Sequence, residues 1–224
     1  MQTIVLAAGD GTRLIKGNKY FDGVPKCMIE IGGKSLAKRI VESFPNNHPI
    51  IFVVGYNFER IFIELKGYPN VEYIINHEWL ETDNSYSLYL ATRFCMDDSS
   101  VINGDTIFDK EIVGMMSPDT VVVDKKKVVP EDMQVKIVDG KITELKKDLG
   151  GDGEALFYCF SENLLNKCRM DFFNNPNTHF ENVVAKHMNG CLKPVYTTGY
   201  RAMEIDTPDD LRLAEAKFMG EIWY

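Results

Sequence analysis

Five short runs rich in β-branched residues recur along the first part of this chain: Thr3–Leu6, Ile50–Val54, Val71–Ile75, Ser100–Ile102 and Thr120–Val123. Each reads as a buried β-strand. Helical patterns fill the gaps: Ser35–Phe44 with Ser35 as its cap, Phe58–Leu65 after Asn57, about Tyr86–Phe94, and Lys110–Met116. Strands that alternate with helices cannot be joined by tight hairpins, so the pattern predicts an α/β fold. The expected architecture is a Rossmann-like, mostly parallel, doubly wound sheet. With 224 residues the chain is long enough for a complete core of this kind. Ligands of such sheets bind beyond the carboxyl ends of the strands.

The first strand runs directly into Ala7-Ala8-Gly9-Asp10-Gly11-Thr12, a stretch with almost no side-chain bulk. Small residues there let the backbone pack against a flat base and turn its N–H groups toward phosphate oxygens. Leu6, Ala7, Ala8, Gly9, Asp10, Gly11 and Thr12 are therefore nucleotide-binding candidates. Arg13 and Lys26 follow as fixed positive charges for a polyphosphate. The loop is not the dinucleotide fingerprint, because Leu14 stands where a third glycine is needed, and no G-K-[ST] makes it a P-loop. A second strand ends in Val101-Ile102-Asn103-Gly104-Asp105, and a later one in Glu204-Ile205-Asp206. Two strand-end carboxylates from distant segments fit Mg²⁺ bridging substrate phosphates. Glu204 points to the same face as Asp206 and is the third metal candidate.

Leu6-Ala-Ala-Gly-Asp-Gly-Thr-Arg-Leu14 followed by Pro25-Lys26 resembles the signature of nucleotidyltransferases that activate sugar phosphates and related phosphomonoesters. The resemblance runs from residue 2 to about 215 and implies a GT-A-like nucleotidyltransferase fold. It implies that Arg13 and Lys26 are catalytic, that Asp105 matches the metal aspartate, and that Glu204–Leu211 carries the second metal motif, E-I-D-x-x-x-D-L. The segment Ile15–Val24 is longer than usual and lacks the customary P-L-T; Lys16 and Lys19 lie within it. Asn84–Leu90 is similar to the N-x-x-S-L-Y-L form of phosphocholine and aminoethylphosphonate cytidylyltransferases. This points to CTP, with Asn84, Ser85 and Gly104 near the nucleotide; Asn84 or Ser85 as a plain helix cap is equally compatible. Phe180-Glu181-Asn-Val-Val184 is similar to the acidic W-D-N-M-V segment of the phosphocholine enzymes, which suggests Tyr158, Phe180 and Glu181 as the acceptor pocket.

The implied reaction is transfer of CMP from CTP to a small phosphocholine-like, amine- or amide-bearing phosphomonoester or phosphonate, with pyrophosphate released and one or two Mg²⁺ ions as cofactor. The sugar-1-phosphate nucleotidyltransferases are the alternative, and Asn84–Leu90 disfavours them. A GT-A glycosyltransferase would share the sheet and the acidic site without needing Arg13 and Lys26.

Beyond residue 124 the pattern changes. Val135–Thr143 is a hairpin with Asp139-Gly140 in its turn, Ala155–Phe160 is a strand, and helices follow near Glu162–Phe173 and Phe180–Met188. Thr207-Pro208-Asp209-Asp210 opens a last helix. The chain is expected to be one domain: a nucleotide half at 1–124, an acceptor-side lid region at 125–200 on the same sheet, and the second metal carboxylate and C-terminal helix at 201–224. A net charge of −8 argues against nonspecific nucleic-acid binding, and no apolar run approaches a membrane span. Five cysteines without a C-x-x-C pair are expected as free thiols of a cytoplasmic protein. The apolar tail from Phe218 to Tyr224 leaves a monomer and a homodimer both open.

Overall fold

The structure is a computed structural model and describes residues 1–11, 14, 23–94 and 97–219. Thr12, Arg13, Lys16, Lys19, Cys95 and the tail beyond Met219 lie outside the described residues, as does most of the 15–24 segment.

In chain order the strands are β1 (Gln2–Ala7), β2 (Glu30–Ile31), β3 (Lys34–Ser35), β4 (Ile50–Val54), β5 (Val71–Ile75), β6 (Ser99–Asn103), β7 (Thr106–Phe108), β8 (Thr120–Asp124), β9 (Gln134–Val138), β10 (Lys141–Lys146), β11 (Gly153–Phe160), β12 (Lys193–Tyr196) and β13 (Ala202–Glu204). The helices are α1 (Leu36–Glu42), α2 (Phe58–Leu65), α3 (Asn84–Thr92), α4 (Glu162–Asn174), α5 (Phe180–His187) and α6 (Pro208–Met219). The segment expected as a helix after β7 is instead a 3₁₀ helix, Lys110–Met115.

The main sheet runs β10-β9-β11-β6-β1-β4-β5, with β8 pairing β11 and β12 pairing β8. Within it only β10 and β11 run against the other strands, so the sheet is mixed but mostly parallel. The central strand β1 shows why two layers of helix form. Ile4 and Leu6 point into a cluster with Leu88, Leu164, Phe180 and Val184 from α3, α4 and α5. Val5 and Ala7 point the other way, onto Ala37, Ile40, Ile61 and Leu65 of α1 and α2. A strand sealed on both faces has no polar side, which is why β4 is buried at every position. Each fully buried Val or Ile there contributes about 1.5–3 kcal/mol relative to exposure.

The hairpin of β9 and β10 turns at Asp139 and Gly140, with φ of 50° and 72°. Two consecutive left-handed residues make the tight turn whose twist matches the strands. α6 packs on a third, smaller cluster of Ile29, Ile31, Leu36, Ile107, Met203 and Ile205, and Phe218 joins it, so this part of the tail packs on its own body. Among the described residues, no helix is long and apolar enough to cross a membrane.

Candidate active site

β1, β4 and β6 are parallel, so their carboxyl ends meet on one edge, with Ala7 opposite Val54 and Leu6 opposite Asn103. The ladders continue past the strands: Tyr56 N–H donates to Ala8 O (2.9 Å) and Gly104 N–H to Leu6 O (2.8 Å). A cleft of about 360 Å³ opens there, large enough for a small organic ligand. Leu6, Ala7, Ala8, Gly9, Asp10 and Gly11 line it together with Gly104. Gly11 has a φ of 67°, and a Cβ there would meet Lys26 Cγ at 2.5 Å. Only glycine lets the loop cross the lysine so closely.

The two metal candidates are brought together by a small ladder. β13 pairs antiparallel with β7, placing Glu204 opposite Thr106, and Ile205 N–H donates to Asp105 O (3.0 Å). Asp206 is then held by the start of α6. Asp210 Oδ2 accepts from Asp206 N–H (3.1 Å), Thr207 N–H (2.8 Å) and Thr207 Oγ1 (2.8 Å), while Asp210 N–H donates to Thr207 Oγ1 (3.2 Å). This is a reciprocal helix cap, with aspartate in place of the usual glutamate.

Lys26 joins the pair. Its Nζ donates to Asp105 Oδ2 (2.8 Å) and to Asp206 Oδ1. Burial alone would make its ammonium easier to deprotonate, but the two carboxylates reverse this and hold its pKa above the usual lysine value. The lysine therefore stays charged at any physiological pH. Asp105 Oδ1 is buried and has no hydrogen-bond partner among the described residues. Among those residues no group of three or more His, Cys, Asp or Glu is arranged to hold a metal ion. Mg²⁺ needs no such cage, since it is commonly held by one or two carboxylates plus substrate phosphates. The pair Asp105 and Asp206, with one buried oxygen unused, fits that mode.

Glu204 also lines the cleft, and its Oε1 accepts from Asn103 Nδ2 (3.1 Å). Burial, and then the charge of Asp105, raises its carboxyl well above the usual carboxylate range.

On the opposite wall, α3 presents Asn84 and Ser87, three residues apart on one helix face, toward the cleft. Asn84 Oδ1 accepts from Phe180 N–H (2.8 Å), which ties the start of α5 to α3 and leaves the amide N–H groups of Asn84 as donors. The cap of α3 is Asp83, not Asn84 or Ser85. Ser85 is fully buried, and its hydroxyl donates to Phe172 O (3.4 Å), so it does not line the cleft. Adjacent helix positions differ by about 100° in direction, so Asn84 and Ser85 cannot share a face. Sequence reasoning missed Trp79, Asn76 and Ser87. Trp79 packs against Tyr56 with ring centres 5.2 Å apart, and Asn76 Nδ2 donates to Thr82 Oγ1 (3.1 Å) and Ser87 Oγ (3.2 Å). The i, i+3 spacing from Asn84 would have flagged Ser87; Trp79 carried no local signal.

The acceptor-side candidates divide. Glu181 lines the cleft, but Tyr158 and Phe180 do not. Both rings lie in the core, packed edge to face with centres 5.1 Å apart. The expected aromatic lining is therefore corrected: β11 is buried on both faces, so its ring at 158 has no open side. Tyr158 does touch the site through its hydroxyl, which donates to Glu181 Oε1 (3.2 Å). Glu181 Oε2 is buried without a partner among the described residues.

Burial pushes the Glu181 carboxyl up to about 7, against the opposing pull of its own backbone N–H and Tyr158. A folded-state value above the unfolded one favours the protonated form, so this group stabilises the fold fully below about pH 4.5 and loses that contribution as pH rises through about 7. In thermal melts without ligand, Glu181→Gln should gain on the parent protein between pH 5 and pH 8, by up to about 3 kcal/mol. A constant difference across that range would contradict the assignment.

Among the described residues the charged side chains of the lining are Asp10, Asp83, Asp105, Glu131, Glu181, Glu204 and Asp206 with Lys26 and Lys147, and burial holds the Glu181 and Glu204 carboxyls toward their neutral forms.

Among solved structures, CTP:phosphocholine cytidylyltransferase from Streptococcus pneumoniae superposes with a TM-score of 0.81 at 21% identity, covering 96% of this chain and 98% of that one. The inositol-1-phosphate CTP transferase from T. maritima superposes at 0.79 and 19% identity, covering 100% and 98%. Both likenesses are of fold. In sequence, the bifunctional protein GlmU of Methanococcus maripaludis (strain C5) is 35% identical over 136 residues, 60% of this chain and 32% of that protein. The chain thus spans about a third of that relative's length. The family model for the MobA-like NTP transferase domain matches residues 3–138, and with more than half of its length covered the chain belongs to that family.

Proposed function

We propose that this cleft transfers CMP from CTP to a small amine-bearing phosphomonoester or phosphonate and releases pyrophosphate. One observation carries the reading: a permanently charged lysine is held between two strand-end carboxylates, directly beneath a bulkless loop. A site for hydride transfer or for hydrolysis by a nucleophilic side chain would not need that arrangement. Attack of one anion on another is slow mainly through repulsion, so positioning and charge neutralisation suffice. The acceptor oxygen is already ionised at neutral pH, and no general base is required.

In this reading the backbone N–H groups of Ala8–Thr12 cradle the nucleotide and its phosphates. Arg13 neutralises the departing pyrophosphate. Lys26 leaves its carboxylates to bridge the α-phosphate and the acceptor oxygen, holding both in line. Asp105 and Asp206, with Glu204 beside them, would hold Mg²⁺, which supplies further neutralisation of phosphate charge when bound. The amide N–H groups of Asn84 face the cleft as donors for the carbonyl or ring-nitrogen acceptors of cytosine, and Trp79 offers a ring against the base. The Asn84–Leu90 motif and the two CTP-using structural neighbours support the choice of base. The same proposal includes a cytoplasmic location, where CTP is available, and action as a monomer or homodimer.

The test is a screen of the four NTPs against aminoalkyl phosphates, aminoethylphosphonate and sugar 1-phosphates, read by pyrophosphate release with Mg²⁺. CTP with an amine-bearing acceptor is expected to lead. Preference for UTP or GTP with a hexose 1-phosphate would overturn the proposal.

A further inference from the structure

Among the described residues, the acceptor end of the cleft is built differently from a cage for a quaternary ammonium. Such a group donates no hydrogen bond and is recognised by the faces of aromatic rings. The rings nearest Glu181, Tyr158 and Phe180, are turned into the core and buried. Among the described residues, the aromatic rings that line the cleft are Trp79 and His179. Trp79 abuts Gly55 at the end of β4, while Glu181 is bonded to Tyr158 on β11. Those strands are three places apart in the sheet, about 14 Å at ordinary strand spacing. Trp79 and Glu181 are thus anchored beside different strands of the sheet.

What the acceptor end does offer is an unused hydrogen-bond acceptor. Glu181 is 3% exposed; Oε1 accepts from the Tyr158 hydroxyl, and Oε2 has no partner among the described residues. A buried carboxylate oxygen left unpaired is costly, and either a proton or a hydrogen-bond donor from a ligand relieves it. Lys147 lines the same cleft and its charge pulls the Glu181 carboxyl down through space, without a hydrogen bond to Oε2 among the described residues.

Resting on the cytidylyltransferase reading, we infer that the acceptor carries an N–H-bearing ammonium, donated to Glu181 Oε2, and that this contact makes the site select primary over quaternary amines. Burial holds the Glu181 carboxyl up near 7, and a bound ammonium restores its charged form. A site that hydrogen-bonds a substrate N–H rejects the analogue lacking it far more strongly than a pocket that only fits its shape.

The experiment uses the full chain with Mg²⁺ and follows phosphoethanolamine through its N-methyl, N,N-dimethyl and N,N,N-trimethyl (phosphocholine) forms, with 2-hydroxyethyl phosphate as the uncharged control. Turnover is read with CTP. Binding is read separately by calorimetry with a non-hydrolysable CTP analogue present. Dissociation constants are expected to rise with each methyl group, by at least about tenfold across the series, and Glu181→Gln should flatten that slope. Binding in this order with no turnover would sink the chemistry and leave the inference standing. Phosphocholine bound as tightly as phosphoethanolamine, 2-hydroxyethyl phosphate bound equally well, or an unchanged slope in Glu181→Gln would each overturn the inference.

Discussion

Lys26→Met should lower kcat by about 10³-fold while leaving the fold in place, which is the scale expected for removing a charge aimed at a transferring phosphoryl group. Methionine keeps the length and apolar stem and removes only the ammonium. The lysine side chain is close enough to Gly11 to shape the loop, so alanine would confuse lost packing with lost charge. A second readout separates catalysis from structure. Among the described residues, Lys26 is the cation held by both Asp105 and Asp206. Removing its charge frees acceptor capacity on both carboxylates, and nucleotide-free Lys26→Met should bind Mn²⁺ at least about tenfold more tightly than the parent, since a unit charge near 4 Å is worth several kcal/mol at an effective dielectric of 20. A purely structural lysine would give the opposite: weaker metal binding and a collapsed site. Mn²⁺ titration followed by electron paramagnetic resonance decides between them.

Asp105→Asn should lower kcat by about 10²-fold or more at fixed Mg²⁺, with part of the loss recovered as the metal concentration is raised. The substitution keeps both the size and one carbonyl oxygen, so the Ile205-to-Asp105 backbone bond that aligns β13 is untouched. The defect should therefore appear in the metal dependence rather than in stability. Steady-state rates across a Mg²⁺ series measure this directly. Unchanged metal dependence with a reduced rate would move the metal away from Asp105.

The central fold was legible because β4 is sealed on both faces, and Ile50–Val54 appears at the bounds the sequence suggests. Val71–Ile75 also falls at its expected bounds, but it is the sheet edge and none of its residues is fully buried, against the expected buried strand. The short strands β7 and β12 were not legible: at three and four residues they carry too little pattern, and their pairing partners are distant in sequence. Part of the site was legible for a geometric reason. Ala7–Gly11, Gly104, Asp105 and Asp206 all follow strands, and in a parallel sheet strand ends converge. Side chains that depend on helix phase were harder. Ser85 and Ser87 look equivalent in sequence, yet one faces the core and the other the cleft. Tyr158 failed as a lining residue because a strand buried on both faces gives no alternation from which to read an open side, and Phe180 failed because, as the first residue of α5, its ring turns into the core. Glu181, by contrast, is a charged residue in an apolar helix start, and such a residue needs a reason to be buried.

The most direct measurement uses CTP labelled with ³²P at the α-position, incubated with Mg²⁺, the protein and phosphoethanolamine. The account predicts that the label moves into a new CDP-type product, joined to the acceptor phosphate by a phosphoanhydride bond, while unlabelled pyrophosphate appears in equal amount. Label recovered only as CDP or as untouched CTP would contradict it, because attack at the α-phosphorus is what the arrangement of Lys26, Asp105 and Asp206 is built to promote.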